Sequence, residues 1–186
     1  MSAATCNIDT AATIIKDGGV IAYPTEAVYG LGCDPSNLAA LRRLIGIKKR
    51  AKDKGLILIA SNQLQLSSFI HAPDNSTKTL MNTYWPGPVT LVVQSKATTN
   101  PLLTGGRSTL AVRVSDHAGV QALCNACDHA LVSSSANLSG QTALRTSDDV
   151  LSQLGDDIDA VLEGGLGGLA KPTMIIDASS GKILRS

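Results

Sequence analysis

Short apolar runs recur along this sequence, and segments with a helical pattern separate most of them. Residues 56–60 are continuously apolar, which is typical of a strand that is covered on both faces. The strands predicted in this way lie at residues 20–23, 56–60, 89–94, 109–114, 130–133, 160–162 and 173–177. Alternation of strands with helices indicates the α/β class. The short separation between the two strands within residues 89–114 indicates a mixed sheet rather than a purely parallel one.

Capping residues and glycines set the ends of the predicted helices. Asp9 is a suitable N-cap for a first helix that runs through Lys16 and ends at the Gly18-Gly19 pair. Ser36 is the expected start of a second helix, whose leucines recur on one face. Further helices are predicted at residues 62–69, 75–84, 117–125 and 147–154. No linker or repeat divides the 186 residues, so a single domain is expected.

The charge of the chain is balanced overall but concentrated locally. Sixteen Lys and Arg residues against 15 Asp and Glu give a net charge of +1, which excludes a uniformly basic nucleic-acid-binding protein. Residues 42–54 nevertheless carry seven basic side chains and one acidic one. Such a run is usually a solvated face, but at the exit of a helix it is also suited to a polyphosphate or an RNA backbone. Aromatic residues make up only 3% of the chain, which argues against a platform that stacks single-stranded bases.

Several features predict a cytoplasmic protein without a membrane segment. The first basic residue is Lys16, so the basic start of a secretory signal is absent. No apolar stretch approaches the ~20 residues that span a bilayer. The four cysteines are expected to be reduced thiols, and the spacing of Cys124 and Cys127 within a predicted helix indicates packing rather than a metal or redox site. No metal ligands are predicted.

Three common catalytic signatures are missing. The chain has no G-x-x-x-x-G-K-[ST] sequence, which excludes a P-loop enzyme, and no G-x-S-x-G elbow, which argues against a serine hydrolase. The glycine-rich run at residues 164–168 lacks the strand and helix that flank a dinucleotide-binding loop, so it is predicted to be a flexible loop.

The predicted strand at residues 109–114 carries the first candidate site. Alternation places Leu110, Val112 and Val114 on one face and Thr109 and Arg113 on the other. A guanidinium on a sheet needs an anionic partner. That partner is either a ligand or an internal carboxylate. The candidates for an internal pair are Asp116 and Asp177.

Two further polar segments follow predicted strands. Residues 133–140 hold four hydroxyls and an amide, which can cradle a phosphate or a ribose or else simply form a turn. Residues 24–32 contain two glycines that allow a ligand to approach the backbone closely.

The order of these segments resembles one family, the threonylcarbamoyl-AMP synthases, whose domain is called YrdC-like or TsaC. The resemblance rests on Tyr-Pro-Thr-Glu at the start of residues 23–32, Lys-Lys-Arg at 48–50, Trp-Pro-Gly-Pro-Val-Thr at 85–90, Val-Arg at 112–113 and Ser-Ser-Ala-Asn-Leu-Ser-Gly at 134–140. It spans residues 22–177 and is closest to the short, single-domain bacterial branch.

The resemblance implies a fold and a reaction. The expected fold is a single YrdC-like domain over residues 1–186, an open, twisted mixed sheet flanked by helices with a basic concave cavity. The implied reaction joins L-threonine, bicarbonate or CO2, and ATP into threonylcarbamoyl-adenylate and pyrophosphate, with Mg²⁺ assisting. Downstream threonylcarbamoyl-transfer proteins would then modify the tRNA adenosine beside the anticodon. The alternative is a tRNA-binding or double-stranded-RNA-binding module without catalysis.

The resemblance also implies roles for individual residues. Lys48 and Arg50 are the expected catalytic residues, because they would neutralise the triphosphate. The remaining nucleotide-binding residues would be Lys54, Thr109, Ser133, Ser135 and Asn137. Arg113 would pair with the threonine carboxylate, and Thr25 and Thr173 would complete the amino-acid pocket.

Overall fold

A computed structural model describes residues 2–186, with the side chain of Lys52 outside that description. The strands are β1 Ala4–Cys6, β2 Ile21–Pro24, β3 Tyr29–Gly32, β4 Ile57–Ala60, β5 Val89–Gln94, β6 Thr109–Val114, β7 Leu131–Ser135, β8 Ala160–Leu162, β9 Met174–Asp177 and β10 Ile183–Arg185. The helices are α1 Ile8–Lys16, α2 Leu38–Ile47, α3 Asn75–Tyr84, α4 Pro101–Thr104, α5 Ala118–Cys127 and α6 Ser147–Leu154, with 3-10 turns at Lys52–Lys54 and Gln63–Leu66. No helix among these residues is long and apolar enough to cross a bilayer.

The strands form one mixed sheet, as the sequence predicted. Their order is β1-β8-β2-β3-β7-β4-β6-β5-β9-β10. The pairs β1/β8, β2/β8, β4/β6 and β5/β9 are parallel, and the other neighbours are antiparallel. The predicted α/β class with a mixed sheet flanked by helices is therefore confirmed.

The register of the central strands gathers polar residues on one face. Gly30 of β3 lies opposite Ser135 of β7, and Ser133 lies opposite Ile57 of β4. Ile57 in turn lies opposite Ala111 of β6, two residues before Arg113. Because cross-strand partners and alternate residues share a face, Gly30, both serines and Arg113 lie on the same side of the sheet.

The two faces are covered differently. The opposite face packs into the main core with α2, α3 and α6, and includes Leu58, Val112 and Val132, all fully buried. On the polar face, α1 and α5 cover only one end, where they pack around Tyr23 and Ile59 in a second cluster. The predicted alternation in β6 is confirmed, since Leu110, Val112 and Val114 belong to the main core.

Local capping differs from the predictions. Asn7, rather than Asp9, caps α1 by accepting a hydrogen bond from the Thr10 amide at 3.0 Å. Asn37, rather than Ser36, caps α2 in the same way. The helix predicted at residues 62–69 is wrong: the segment forms only the 3-10 turn Gln63–Leu66.

Four elements, β1, β3, β10 and α4, were not predicted from the sequence, and the glycines of β3 explain one of these omissions. The strand reads Tyr-Gly-Leu-Gly, a composition that weakens any strand signal. Gly32 is required by packing, because a Cβ there would lie 2.5 Å from Cε1 of Tyr23 and 2.7 Å from the carbonyl oxygen of Val132.

We therefore expect Gly32→Ala to lower the free energy of unfolding by about 1–3 kcal/mol through overpacking. Gly46 is the matched control, since a Cβ at this position in α2 meets nothing within 4 Å. Gly46→Ala should raise the free energy of unfolding by about 0.5–1 kcal/mol. Urea denaturation of both variants measures the difference, and equal stabilities would contradict this account of β3.

Candidate active site

A cavity of about 340 Å³ opens on the polar face of the central strands. Seven of the ten predicted site residues line it, namely Thr25, Arg50, Arg113, Ser133, Ser135, Asn137 and Thr173. Lys54 and Thr109 line an adjoining cavity of about 410 Å³, which shares Arg50 and Arg185 with the first. The sequence-predicted residues thus converge on two connected cavities, with Lys48 outside both linings.

Arg113 lies at the inner end of the first cavity in a buried ion pair. Its Nη2 is 3.1 Å from Oε2 of Glu26, and both side chains are 5% exposed. Its Nη1 donates a hydrogen bond to Oγ1 of Thr173 at 2.6 Å. The internal carboxylate foreseen for Arg113 therefore exists, but its identification as Asp116 or Asp177 is wrong. Asp177 instead accepts hydrogen bonds from the Ser179 and Ser180 amides of its own turn.

The ion pair leaves part of the guanidinium unused. Arg113 Nε is buried and has no hydrogen-bond partner among the described residues. The Thr90 hydroxyl is equally buried and unpartnered, and continuation of the β5/β6 register places Thr90 opposite Arg113. Buried donors without partners are rare in folded proteins. The internal-pair alternative for Arg113 is therefore confirmed, and its predicted pairing with a ligand stays a prediction.

Lys48 organises the hydroxyl-rich turn behind the cavity. Its ammonium donates to the Asn137 carbonyl at 2.9 Å, to Oδ1 of Asn137 at 3.0 Å and to the Ser135 carbonyl. Ser135 also donates its hydroxyl to Oδ1 of Asn137 at 2.7 Å. The three donors of the ammonium are all engaged, so Lys48 fixes the shape of the turn. Its predicted contact with ATP stays a prediction.

Lys48 gives the site a pH dependence. Burial, assisted by the charge of Arg50, lowers the pKa of Lys48 to about 8 from 10.5. Because the unfolded chain then holds this proton to a higher pH than the folded chain, the contribution of Lys48 to stability rises between about pH 8 and 10.5. The neutral amine has one donor fewer, so the turn loses a hydrogen bond over the same change.

We expect the affinity for ATP to fall as the pH rises through about 8, because Lys48 loses its charge and the turn loses a hydrogen bond. Over the same pH range, the free energy of unfolding of the wild type should rise relative to that of Lys48→Met. Calorimetric titration with ATP and urea denaturation at pH 7 and pH 9.5 measure the two trends. The Lys48→Met variant should show neither one. Parallel trends in the two proteins would contradict the assignment of the low pKa to Lys48.

Two more arginines, Arg50 and Arg185, line both cavities. Arg50 donates from Nε to the Gly55 carbonyl at 3.0 Å, and Arg185 donates from Nε and Nη2 to the Thr173 carbonyl at 3.0 and 2.6 Å. Burial lowers the pKa of both guanidinium groups, and the charge of Arg113 adds to the effect at Arg185. The sequence analysis missed Arg185, which lies in the short exposed strand β10 and belongs to no recognisable motif.

The lining of the first cavity contains three arginines and no carboxylate. Such a surface attracts anions, and the serine hydroxyls and Asn137 supply uncharged hydrogen-bonding groups beside it. Among residues 2–186, no group of three His, Cys, Asp or Glu side chains is placed to hold a metal ion. The side-chain oxygens that the first cavity offers to a magnesium ion belong to hydroxyl and amide groups, such as those of Ser133, Ser135 and Asn137.

The buried cysteines do not contribute to the site. Cys124 and Cys127 belong to α5, and their side chains are buried in the second core cluster. Burial raises the pKa of the Cys124 thiol to about 12 and that of the Cys127 thiol to about 11. Thiols with raised pKa values are poor nucleophiles and poor metal ligands.

The fold and the cavity define an α/β protein with an arginine-lined cavity on one face of a mixed sheet. Residues 13–186 match the family model Sua5/YciO/YrdC, which is described as telomere recombination, and the chain belongs to this family.

Individual relatives agree with the family match. The chain is 47% identical over 171 residues to the threonylcarbamoyl-AMP synthase of Idiomarina loihiensis, an alignment that covers 90% of this chain and 91% of the relative. It superposes on P. abyssi Sua5 complexed with L-threonine with a TM-score of 0.88 and 29% identity, covering 95% of this chain and 52% of that one. It also superposes on E. coli YciO with a TM-score of 0.87 and 27% identity, covering 100% and 96% of the two chains. The chain spans about half the length of the Sua5 chain.

Proposed function

We propose that this protein is an L-threonylcarbamoyladenylate synthase. It uses L-threonine, bicarbonate or CO2, and ATP to form threonylcarbamoyl-adenylate and pyrophosphate, for threonylcarbamoyladenosine modification of tRNA. The observation that carries the proposal is the convergence of Arg50 and Arg113 on one cavity together with the hydroxyl-rich turn at residues 133–137. The names of the relatives favour this enzyme over a non-catalytic RNA-binding module.

ATP is assigned to the region where the two cavities meet. Arg50 and Arg185 line both cavities, so a triphosphate lying across the junction would contact both guanidinium groups. Lys54 and Thr109 are placed to reach the same ligand from the second cavity. Ser133, Ser135 and Asn137 offer small polar groups to the nucleoside or the α-phosphate.

Threonine is assigned to the inner end of the first cavity. Its carboxylate would bind Arg113, whose guanidinium side chain lines this cavity. Thr173, already hydrogen-bonded to Arg113, and Thr25, which donates to the Val28 carbonyl at 2.7 Å, form the adjacent wall.

The chemistry requires positioning and charge rather than a protein nucleophile. The threonine amine adds to CO2 and loses a proton, which gives a carbamate. A carbamate oxygen then attacks the α-phosphorus, the bond from that phosphorus to the bridging oxygen breaks, and pyrophosphate leaves with the electron pair. Arg50 and Arg185 stabilise the negative charge that develops on the leaving group. ATP would enter the reaction as its magnesium complex, in which the metal would neutralise part of the charge of the phosphates.

We propose two further classes of partner. The threonylcarbamoyl-adenylate would pass to threonylcarbamoyl-transfer proteins, which would modify the tRNA adenosine beside the anticodon. Arg42 and Lys49 are exposed in the basic segment and offer a surface for tRNA or double-stranded RNA, whereas the exposed Arg43 is paired with Asp159. We propose that the protein acts in the cytoplasm.

We also propose that residues 1–186 form one domain, because the first and last strands, β1 and β10, belong to the same sheet.

Pyrophosphate release tests the proposal. The purified protein with ATP, Mg²⁺, bicarbonate and L-threonine should release pyrophosphate continuously, and omission of threonine should abolish the release. An RNA-binding module without catalysis would release none under either condition. Release that does not respond to threonine would contradict the amino-acid assignment.

A further inference from the structure

The glycine-rich segment at residues 164–168, predicted to be a flexible loop, is bound to the wall of the cavity. The Gly167 amide donates to the Thr25 carbonyl at 3.1 Å, and the Leu169 amide donates to the Glu26 carbonyl at 2.9 Å. We call residues 164–169 the strap. Its two backbone hydrogen bonds fasten the predicted loop to Thr25, which lines the cavity, and to Glu26, the carboxylate partner of Arg113.

Glu26 is also held by hydrogen bonds from the segment that leads into α5. Its Oε1 accepts a hydrogen bond from the Ser115 hydroxyl at 2.6 Å, and the same hydroxyl accepts from the His117 amide at 3.1 Å. His117 Nδ1 accepts from the Val120 amide at 3.3 Å, which leaves the ring proton on Nε2 to be donated to the Gly165 carbonyl at 3.0 Å. The start of α5 therefore ties the strap and the Glu26 carboxylate together.

The strap approaches Glu26 too closely for a side chain at one of its glycines. A Cβ on Gly167 would lie 2.9 Å from Cα of Glu26 and 3.2 Å from Cδ2 of His117. A Cβ on Gly165 would meet nothing within 4 Å. Two glycines of one segment thus differ in whether alanine would displace Glu26.

We propose that the strap and Glu26 are positioning elements for the amino-acid substrate. The strap and Ser115 fix the Glu26 carboxylate, and Glu26 fixes the Arg113 guanidinium through the 3.1 Å pair, so that the guanidinium keeps one orientation at the cavity that it lines. None of these groups except Arg113 touches the substrate. The inference rests on the proposed function, because it assigns Arg113 to threonine.

The two glycines provide the test. In the threonine-dependent pyrophosphate assay, Gly167→Ala should raise the KM for threonine by about tenfold or more, because small displacements of a positioning group are costly. The KM for ATP should stay within about twofold of wild type, since the strap does not contact Arg50. Gly165→Ala should leave both constants within about twofold.

Glu26→Gln is the second variant, because it keeps the size of the side chain but removes the charge that faces Arg113. It should reproduce the selective rise in the threonine KM, which a general loss of stability would not do. Equal constants in the Gly167→Ala and Gly165→Ala proteins, or parallel rises for ATP and threonine in Gly167→Ala and Glu26→Gln, would overturn the inference while the wild-type activity stands. A wild-type protein without threonine-dependent release would overturn the proposed function and this inference together.

Discussion

Arg50→Ala should lower kcat/KM for ATP by roughly 30-fold to 1,000-fold, which corresponds to a loss of about 2–4 kcal/mol of transition-state stabilisation. Arg50 lines both cavities, and its pKa is lowered because it is partly withdrawn from water. A charge in such a position interacts more strongly with a leaving phosphate than an exposed charge does. Initial rates of pyrophosphate release at varied ATP and saturating threonine measure the loss.

Arg42→Ala is the matched control for this experiment. Arg42 lies on the exposed face of α2 and lines neither cavity. Its substitution by alanine removes the same formal charge as Arg50→Ala. Its kinetic constants should stay close to those of the wild type. Similar losses in the two variants would indicate that the net charge of the basic segment, rather than the placement of Arg50, governs the use of ATP.

Arg113→Met should affect both folding and substrate binding. Removal of the guanidinium leaves the Glu26 carboxylate buried without its partner, which typically costs about 3–5 kcal/mol of unfolding free energy. Replacement of both partners by neutral residues avoids that penalty. The double variant Arg113→Met/Glu26→Gln should therefore be more stable than Arg113→Met alone, as urea denaturation can measure.

Substrate binding separates the two roles of Arg113. The double variant should restore much of the stability but should not restore threonine binding, because no cation is left for the carboxylate. Calorimetric titration with threonine in the presence of a non-hydrolysable ATP analogue measures this binding. Wild-type threonine affinity in the double variant would show that Arg113 serves only as an internal ion-pair partner.

Local patterns in the sequence were sufficient to predict much of the site. The alternation in β6 placed Thr109 and Arg113 on the face opposite Leu110, and this prediction is confirmed because strand geometry depends on adjacent residues alone. The hydroxyl-rich turn at residues 133–137 was likewise visible as a cluster of small polar residues after a strand.

The long-range contacts were not predictable in the same way. Glu26 follows β2, whereas its partner Arg113 lies in β6, and no local pattern in the sequence records which strands lie near one another in the sheet. Arg185 enters the cavity through an antiparallel pair at the edge of the sheet, far from any motif. The attachment of the strap was not predictable for a related reason, since glycines are typical both of mobile loops and of close backbone contact.

Product analysis with [13C]bicarbonate tests the central claim most directly, namely that one cavity joins the amino acid and the nucleotide through a carbon taken from bicarbonate. Rapid quenching followed by mass spectrometry should detect an adenylate that contains threonine and a single labelled carbon, formed in equal amount to the pyrophosphate released. Pyrophosphate accompanied by an unlabelled threonine adenylate, or by AMP alone at the earliest times, would contradict the account.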